Sequence, residues 1–212
     1  MNQKPSLLII GNSNVGKSSI TRLLMPNPRK FKGKIGKTPG STLLIKSTSQ
    51  DNLPYNIVDL PGFGYVSNSS RRRQEHIKKQ IVIHIEKHYF SYFLGLVVIN
   101  ILRIEDELKK YFIQNKKTIP LSFELVNFLK ELNIPLLIII NKIDKLSNLD
   151  KIKNIKLFIQ SAEEYGIRIV QLDKYKFNIK EEIPYLDFSA LKKTNLEKLK
   201  KLIQQLLTQI KK

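Results

Sequence analysis

The sequence predicts an α/β fold built on a mostly parallel central sheet, with one antiparallel edge strand and helices on both faces. Three observations lead there. Strand-like and helix-like stretches alternate along most of the chain, the order that lays a parallel sheet between layers of helices. The runs 94–101 and 136–140 are almost continuously apolar, as strands covered on both faces must be. Finally, Gly11-Asn12-Ser13-Asn14-Val15-Gly16-Lys17-Ser18 matches G-x-x-x-x-G-K-S and lies between an apolar run and a helical one, the strand-to-helix setting that a phosphate-binding loop requires.

The elements follow in order. Residues 6–10 form the first strand and residues 17–25 the first helix, stopped by Pro26-Asn27-Pro28 because proline cannot continue the hydrogen-bond ladder. Residues 26–42 are rich in Gly, Pro and Lys without a period and read as a mobile loop. Two β-like runs, 43–49 and 55–60, joined by Gln50-Asp51-Asn52, suggest a hairpin, which supplies the antiparallel edge. Ile77, Ile81, Ile85 and Tyr89 recur every four residues and mark a helix ending near Phe93. Between the two buried strands, Ser122 can cap a helix bearing Leu125, Phe128, Leu129 and Leu132. A helix over 149–165 is stopped by Gly166, and a strand over 167–172 follows. The polar stretch 173–183 reads as an insertion before a last strand at 184–188. Leu196, Leu199, Leu202, Ile203, Leu206 and Ile210 then mark a terminal amphipathic helix.

The 212 residues suit one domain, 1–212, with a full hydrophobic core. No apolar run approaches the roughly 18 residues that cross a bilayer, and the start of the chain lacks a signal-peptide pattern, so a cytoplasmic protein is expected. With no cysteine there are neither disulfides nor thiolate metal sites. The formal charge of +19, from 37 basic and 18 acidic residues, points to a polyanionic partner such as RNA, although a general Lys, Ile and Asn bias contributes.

The residues that carry chemistry stand at strand ends, where ligands bind in such sheets. In the glycine loop, converging N–H groups and the positive end of the following helix hold phosphates; Lys17 reaches the β- and γ-phosphates and Ser18 ligates magnesium. Asp59 closes an apolar strand, where an acid holds magnesium through water, and Asp59-Leu60-Pro61-Gly62 ends with an unhindered backbone N–H that can serve a γ-phosphate. Asn141-Lys142-Ile143-Asp144 follows a buried strand. Its aspartate can accept from guanine N1–H and the exocyclic amine, selecting GTP over ATP, while Asn141 braces the pocket and the Lys142 stem covers the base. Ser189-Ala190-Leu191 completes the pocket by offering a backbone N–H to guanine O6. Together these give a P-loop GTPase (Ras-like) fold that binds GTP or GDP with Mg2+.

In their order, GNSNVGKS, KTPGST, VDLPGFGY, NKID and SAL, the motifs resemble the EngB family of GTPases over residues 6 to about 210. The resemblance implies a cytoplasmic GTP-hydrolysing switch acting in large ribosomal subunit assembly, with a link to division-septum formation; a monomer is expected. It also implies that Ser18 and Thr42 are magnesium ligands and that Gly40, Ser41, Thr42, Leu43 and Leu44 fold over the nucleotide. Thr38 competes with Thr42 for this place, since spacing alone does not choose between them. The chain departs from the family pattern in having Asn141-Lys142-Ile143-Asp144 where many members have Thr-Lys-Ala-Asp. It also has Asn100-Ile101-Leu102-Arg103 where they have an Asp-x-Arg-His turn, and it carries the insertion 173–183.

Lys17, Thr42, Gly62 and Asn14 are the residues on which hydrolysis is expected to depend. Where many GTPases carry a water-positioning glutamine after the glycine of the third motif, this chain has Phe63, which cannot orient water, so unassisted turnover should be slow, on the order of 10⁻⁴ s⁻¹. Asn14 either helps hold a potassium ion, as in potassium-activated GTPases of similar loop sequence, or merely shapes the loop. Arg71-Arg72-Arg73, at the start of a helix, is opposed by the helix dipole and is either an rRNA contact or a solvated turn. His84 and His88, one helical turn apart, lack an evident third ligand and read as a helix face rather than a zinc site. Two other functions stay open: a GTP-gated protein-interaction module at the division site, with hydrolysis incidental, and an ATPase or kinase for which Asp144 is irrelevant.

Overall fold

A computed structural model describes residues 4–30, 45–63, 71–114, 119–176 and 181–210. Seven strands form one sheet in the order β2-β3-β1-β4-β5-β7-β6. They are β1 (Ser6–Gly11), β2 (Lys46–Thr48), β3 (Asn56–Asp59), β4 (Tyr92–Asn100), β5 (Leu136–Asn141), β6 (Arg168–Gln171) and β7 (Glu182–Asp187). Among the described strands only the β2–β3 pair is antiparallel, with Lys46 opposite Asp59, so the expected hairpin supplies the antiparallel edge. The helices are α1 (Lys17–Leu24), α2 (Arg71–His88), α3 (Ile104–Gln114), α4 (Leu121–Glu131), α5 (Asn148–Glu164) and α6 (Leu196–Ile210).

Alternation in β1 divides the core between two faces. Leu8 and Ile10 pack with Ile81 and Ile85 of α2, Leu108 of α3, Phe123 of α4 and Phe158 of α5. Leu7 and Ile9 face the other way, onto Ile20 and Leu24 of α1 and the Leu199, Leu202 and Ile203 stripe of α6. Because β1, β3, β4, β5 and β7 run parallel, Gly11, Asp59, Asn100, Asn141 and Asp187 all emerge at the same edge of the sheet.

Several local expectations change. The helix α3 was not anticipated; its sequence has acidic Glu105, Asp106 and Glu107 in the first turn, where they complement the helix dipole, and buried Ile104 and Leu108 four residues apart. Ser122 is not a cap. It lies inside the first turn of α4 after Pro120, and its N–H donates to Glu107 Oε1 at 3.2 Å, so a carboxylate from α3 satisfies a donor that a capping side chain would have taken. The helix α2 stops at His88, and Tyr89, expected on its apolar face, lies in a following short 3-10 turn, 45% exposed. Within 26–42, Pro28–Lys30 forms a 3-10 turn, while 31–44 lie outside the described residues. The stretch 173–183 includes a 3-10 turn at Leu172–Lys174 and the start of β7.

Candidate functional site

The loop between β1 and α1 is shaped by a left-handed residue at each bend, Asn14 at φ 62° and Gly16 at φ 105°. Asparagine tolerates that region better than most side chains, which accounts for Asn14 as a loop-shaping residue. At Gly16 a Cβ would collide with the Asn141 side-chain amide, so glycine is required there by close packing as well as by conformation. Lys17 is buried, and its ammonium donates to the carbonyl oxygens of Gly11 at 3.1 Å and Asn12 at 2.8 Å. Burial pushes its pKa down to about 8, against the opposing pull of the Asp59 charge.

Ser18, in the first turn of α1, donates its hydroxyl to Asp59 Oδ2 at 2.9 Å. Asp59 ends β3 and is only 2% exposed. A hydroxyl and a buried carboxylate meeting beside a phosphate loop suit Mg2+, a hard cation that takes few protein oxygens and keeps the rest of its shell for water and phosphate. Ser18 and Asp59 are therefore the described residues that fit the ion. Gly40, Ser41, Thr42, Leu43 and Leu44, with Thr38, lie outside the described residues.

The segment after β3 is sewn to the phosphate loop by backbone bonds. Phe63 N–H donates to Gly11 O at 3.2 Å, and Ser13 N–H donates to Phe63 O at 3.0 Å. The Phe63 side chain is buried, in the same core cluster as Ile81 and Ile85, so it anchors the segment and points away from any water-positioning role. Gly62 presses on Ser13 so closely that a Cβ would sit 2.7 Å from both Ser13 Cα and Ser13 Oγ. Leu60 is fully buried.

On the other side, Asn141 joins two motifs. Its Nδ2 donates to Val15 O at 2.8 Å, and its Oδ1 accepts from Ala190 N–H at 3.0 Å. Lys142, in a left-handed conformation at φ 70°, runs its side chain back to Asn14 O at 2.6 Å. Burial and the neighbouring Arg103 hold its pKa below the ordinary lysine value, partly offset by Asp144. Ser189 donates its hydroxyl to Asp144 Oδ1 at 2.5 Å and accepts from Lys192 N–H at 3.0 Å. Beside these bonds lies a pocket of about 510 Å³ whose wall includes Gly16, Asn141, Lys142, Asp144 and Ala190. Leu191 stands at its rim, 69% exposed.

Sequence reasoning missed some of this wall. Arg22, Lys145 and Lys193 also line the pocket and add positive charge beside the base-side motif. Glu107 was missed as well: its Oε2 accepts from Asn12 Nδ2 at 3.4 Å while Oε1 takes the Ser122 N–H, linking the phosphate loop to the start of α4. No local pattern announces a contact across 95 residues. His84 and His88 lie ring to ring at 4.5 Å, and His88 Nδ1 lies 2.8 Å from His84 O. Among the described residues no group of three or more His, Cys, Asp or Glu could hold a metal ion.

Comparison with known proteins agrees with this geometry. A family described as "50S ribosome-binding GTPase" matches residues 6–142. The probable GTP-binding protein EngB of Pyrococcus abyssi is 30% identical over 203 residues, 95% of this chain and 85% of that protein. The chain belongs to the EngB family of GTPases. The EngB relative from Methanococcus aeolicus is 34% identical over 155 residues, 73% of this chain, and the match spans 65% of that relative's length. A crystal structure described as a probable GTP-binding protein engB superimposes with a TM-score of 0.72 at 25% identity, covering 96% of this chain and 99% of the other. The expected P-loop GTPase fold is thus the one observed, and no described helix is long and apolar enough to cross a membrane.

Proposed function

We propose that this chain binds GTP and GDP with Mg2+ and hydrolyses GTP as a switch that engages the large ribosomal subunit or its rRNA. The observation that carries the nucleotide reading is Asn141, whose one side chain bonds both Val15 of the phosphate loop and Ala190 of the base-side loop, tying the two halves of a nucleotide site into one pocket. Asp144, positioned by the Ser189 hydroxyl, reads guanine N1–H and the exocyclic amine; the 189–191 loop supplies the backbone donor for O6. Loop N–H groups and Lys17 hold the phosphates, and Ser18 and Asp59, with Thr42, hold the ion. When bound, the ion neutralises charge on the β- and γ-oxygens. Gly62 turns its N–H to the γ-phosphate, and loss of that phosphate on hydrolysis releases the contact.

Phe63 supplies no group that aligns water, so turnover is slow until another component assists. Asn14 is the in-chain candidate through a potassium ion. Equal GTP turnover in KCl and NaCl would remove that role. The ribosomal partner is supported by the formal charge of +19 and by the description of the matching family. Arg71–Arg73, which open α2, are the proposed rRNA contact; replacing all three by alanine should flatten the salt dependence of ribosome binding. Sedimentation with purified ribosomal subunits, in GDP and in a non-hydrolysable GTP analogue, tests the switch: co-sedimentation with the large subunit in the analogue alone is expected, and nucleotide-independent behaviour would refute it. The burial of Phe63 favours one second reading, a GTP-gated protein-interaction module at the division site with hydrolysis incidental. That reading expects partner binding to survive a variant that binds but cannot hydrolyse GTP.

A further inference from the structure

In the phosphate loop and the first turn of α1, the side chains of Lys17 and Ser18 hold hydrogen-bond partners, and Ser13 is an exception. Its Oγ is buried and has no hydrogen-bond partner among the described residues. A buried hydroxyl without a partner costs stability, and nothing in the fold requires one here: Ser13 is held by its backbone, with N–H on Phe63 O. The residue before it is held too, through Asn12 Nδ2 on Glu107. Ser13 packs directly on Gly62: a Cβ on Gly62 would lie 2.7 Å from both Ser13 Oγ and Ser13 Cα.

That contact carries chemical information. Gly62 is the residue whose N–H serves the terminal phosphate in the function proposed above, on which this inference rests. A hydroxyl offers a rotatable donor as well as acceptors, so it can meet a phosphoryl oxygen arriving at the same point. The geometry points to Ser13 as a γ-phosphate contact: its hydroxyl donates to a terminal phosphoryl oxygen of the triphosphate, while Gly62 moves off Ser13 and turns its N–H to the same group. A diphosphate brings no oxygen to this place. Ser13 therefore discriminates between nucleotides by the presence of the third phosphate, a role separate from the loop N–H groups, which serve both.

The test is Ser13→Ala, compared with the unaltered protein by titration with fluorescent GDP and with a fluorescent non-hydrolysable GTP analogue, in magnesium. A hydrogen bond to a charged oxygen predicts about a tenfold loss for the GTP analogue or more, with GDP affinity within about twofold of the parent. Retained GDP binding also reports that the loop is intact. Parallel losses for both nucleotides would make the hydroxyl a structural group and overturn the inference, and so would unchanged affinity for both. If the unaltered protein bound neither nucleotide, the nucleotide reading itself would fall and take this inference with it; failure in the variant alone leaves that reading standing.

Discussion

The two ends of the candidate site are finished to different degrees. On the base side Asn141, Lys142, Asp144 and Ser189 each hold a hydrogen-bond partner supplied by another segment of the chain. On the γ-phosphate side Ser13 Oγ and Asn12 Oδ1 are buried and have none among the described residues, and Gly62 packs directly onto Ser13. The difference teaches which half is rigid. A wall bonded within itself by side chains can hold a guanine ring in one geometry, whereas the Gly62 contact leaves two buried oxygens that opening would relieve, against the loss of the two backbone bonds of Phe63.

The strongest way to break the base side is Asp144→Asn. The substitution replaces two acceptors for guanine by an amide that mismatches it, so GTP affinity should fall by about 10²-fold or more, with XTP gaining in its place. Competition binding with XTP checks this, and unchanged GTP affinity would return the ATPase or kinase alternative to consideration. Gly62→Ala attacks the other side: the new methyl would lie 2.7 Å from Ser13 Oγ and 2.8 Å from Ser13 N, so the contact with the phosphate loop must open. GTP turnover should fall by about 10-fold or more, with GDP affinity within about threefold. Equal damage to GDP binding would erase the contrast between the two ends. Asn141→Ala removes both bonds of the bridge, and both nucleotides should weaken together by about tenfold, accompanied by a lower melting temperature.

The smallest effect is a control outside the site. Tyr92, at the start of β4 and remote from the carboxyl edge of the sheet, also has a buried hydroxyl without a partner among the described residues. Tyr92→Phe should stabilise the protein by about 1 kcal/mol and leave nucleotide binding alone. Burial raises the Tyr92 pKa to about 12, and that of Tyr55 likewise. Their folded values lie above the unfolded value near 10, so the stability they contribute is complete below about pH 10 and is lost as pH rises towards 12. Denaturant melts between pH 9 and 12 would show this decline, and it should be shallower in Tyr92→Phe.

Much of this was legible because the decisive residues carry their own context. The glycine loop, Asp59, Asn141 to Asp144 and Ser189 are short motifs at the ends of apolar strands, and each emerges at the same sheet edge. What stayed hidden depends on partners distant in sequence. Glu107 displaced Ser122 as the group that meets the α4 N-terminus because a carboxylate from a neighbouring helix competes with a local cap, and no window of sequence contains both. The orphaned hydroxyl of Ser13 is equally unreadable, since Ser13 and Gly62 come together only through the β1–β3 pairing. Asn14 was legible as a loop residue for the opposite reason: its left-handed backbone is a local preference.

The ordering of the sheet has one more consequence. Among the described residues its outer strands, β2 at Lys46–Thr48 and β6 at Arg168–Gln171, are three and four residues long, and the second begins with an exposed arginine. Another chain adding a strand at either margin would gain a ladder of only a few rungs, too short to offset the ordering it demands. A chain with a formal charge of +19 is thereby also guarded, at its described margins, against growing edge to edge.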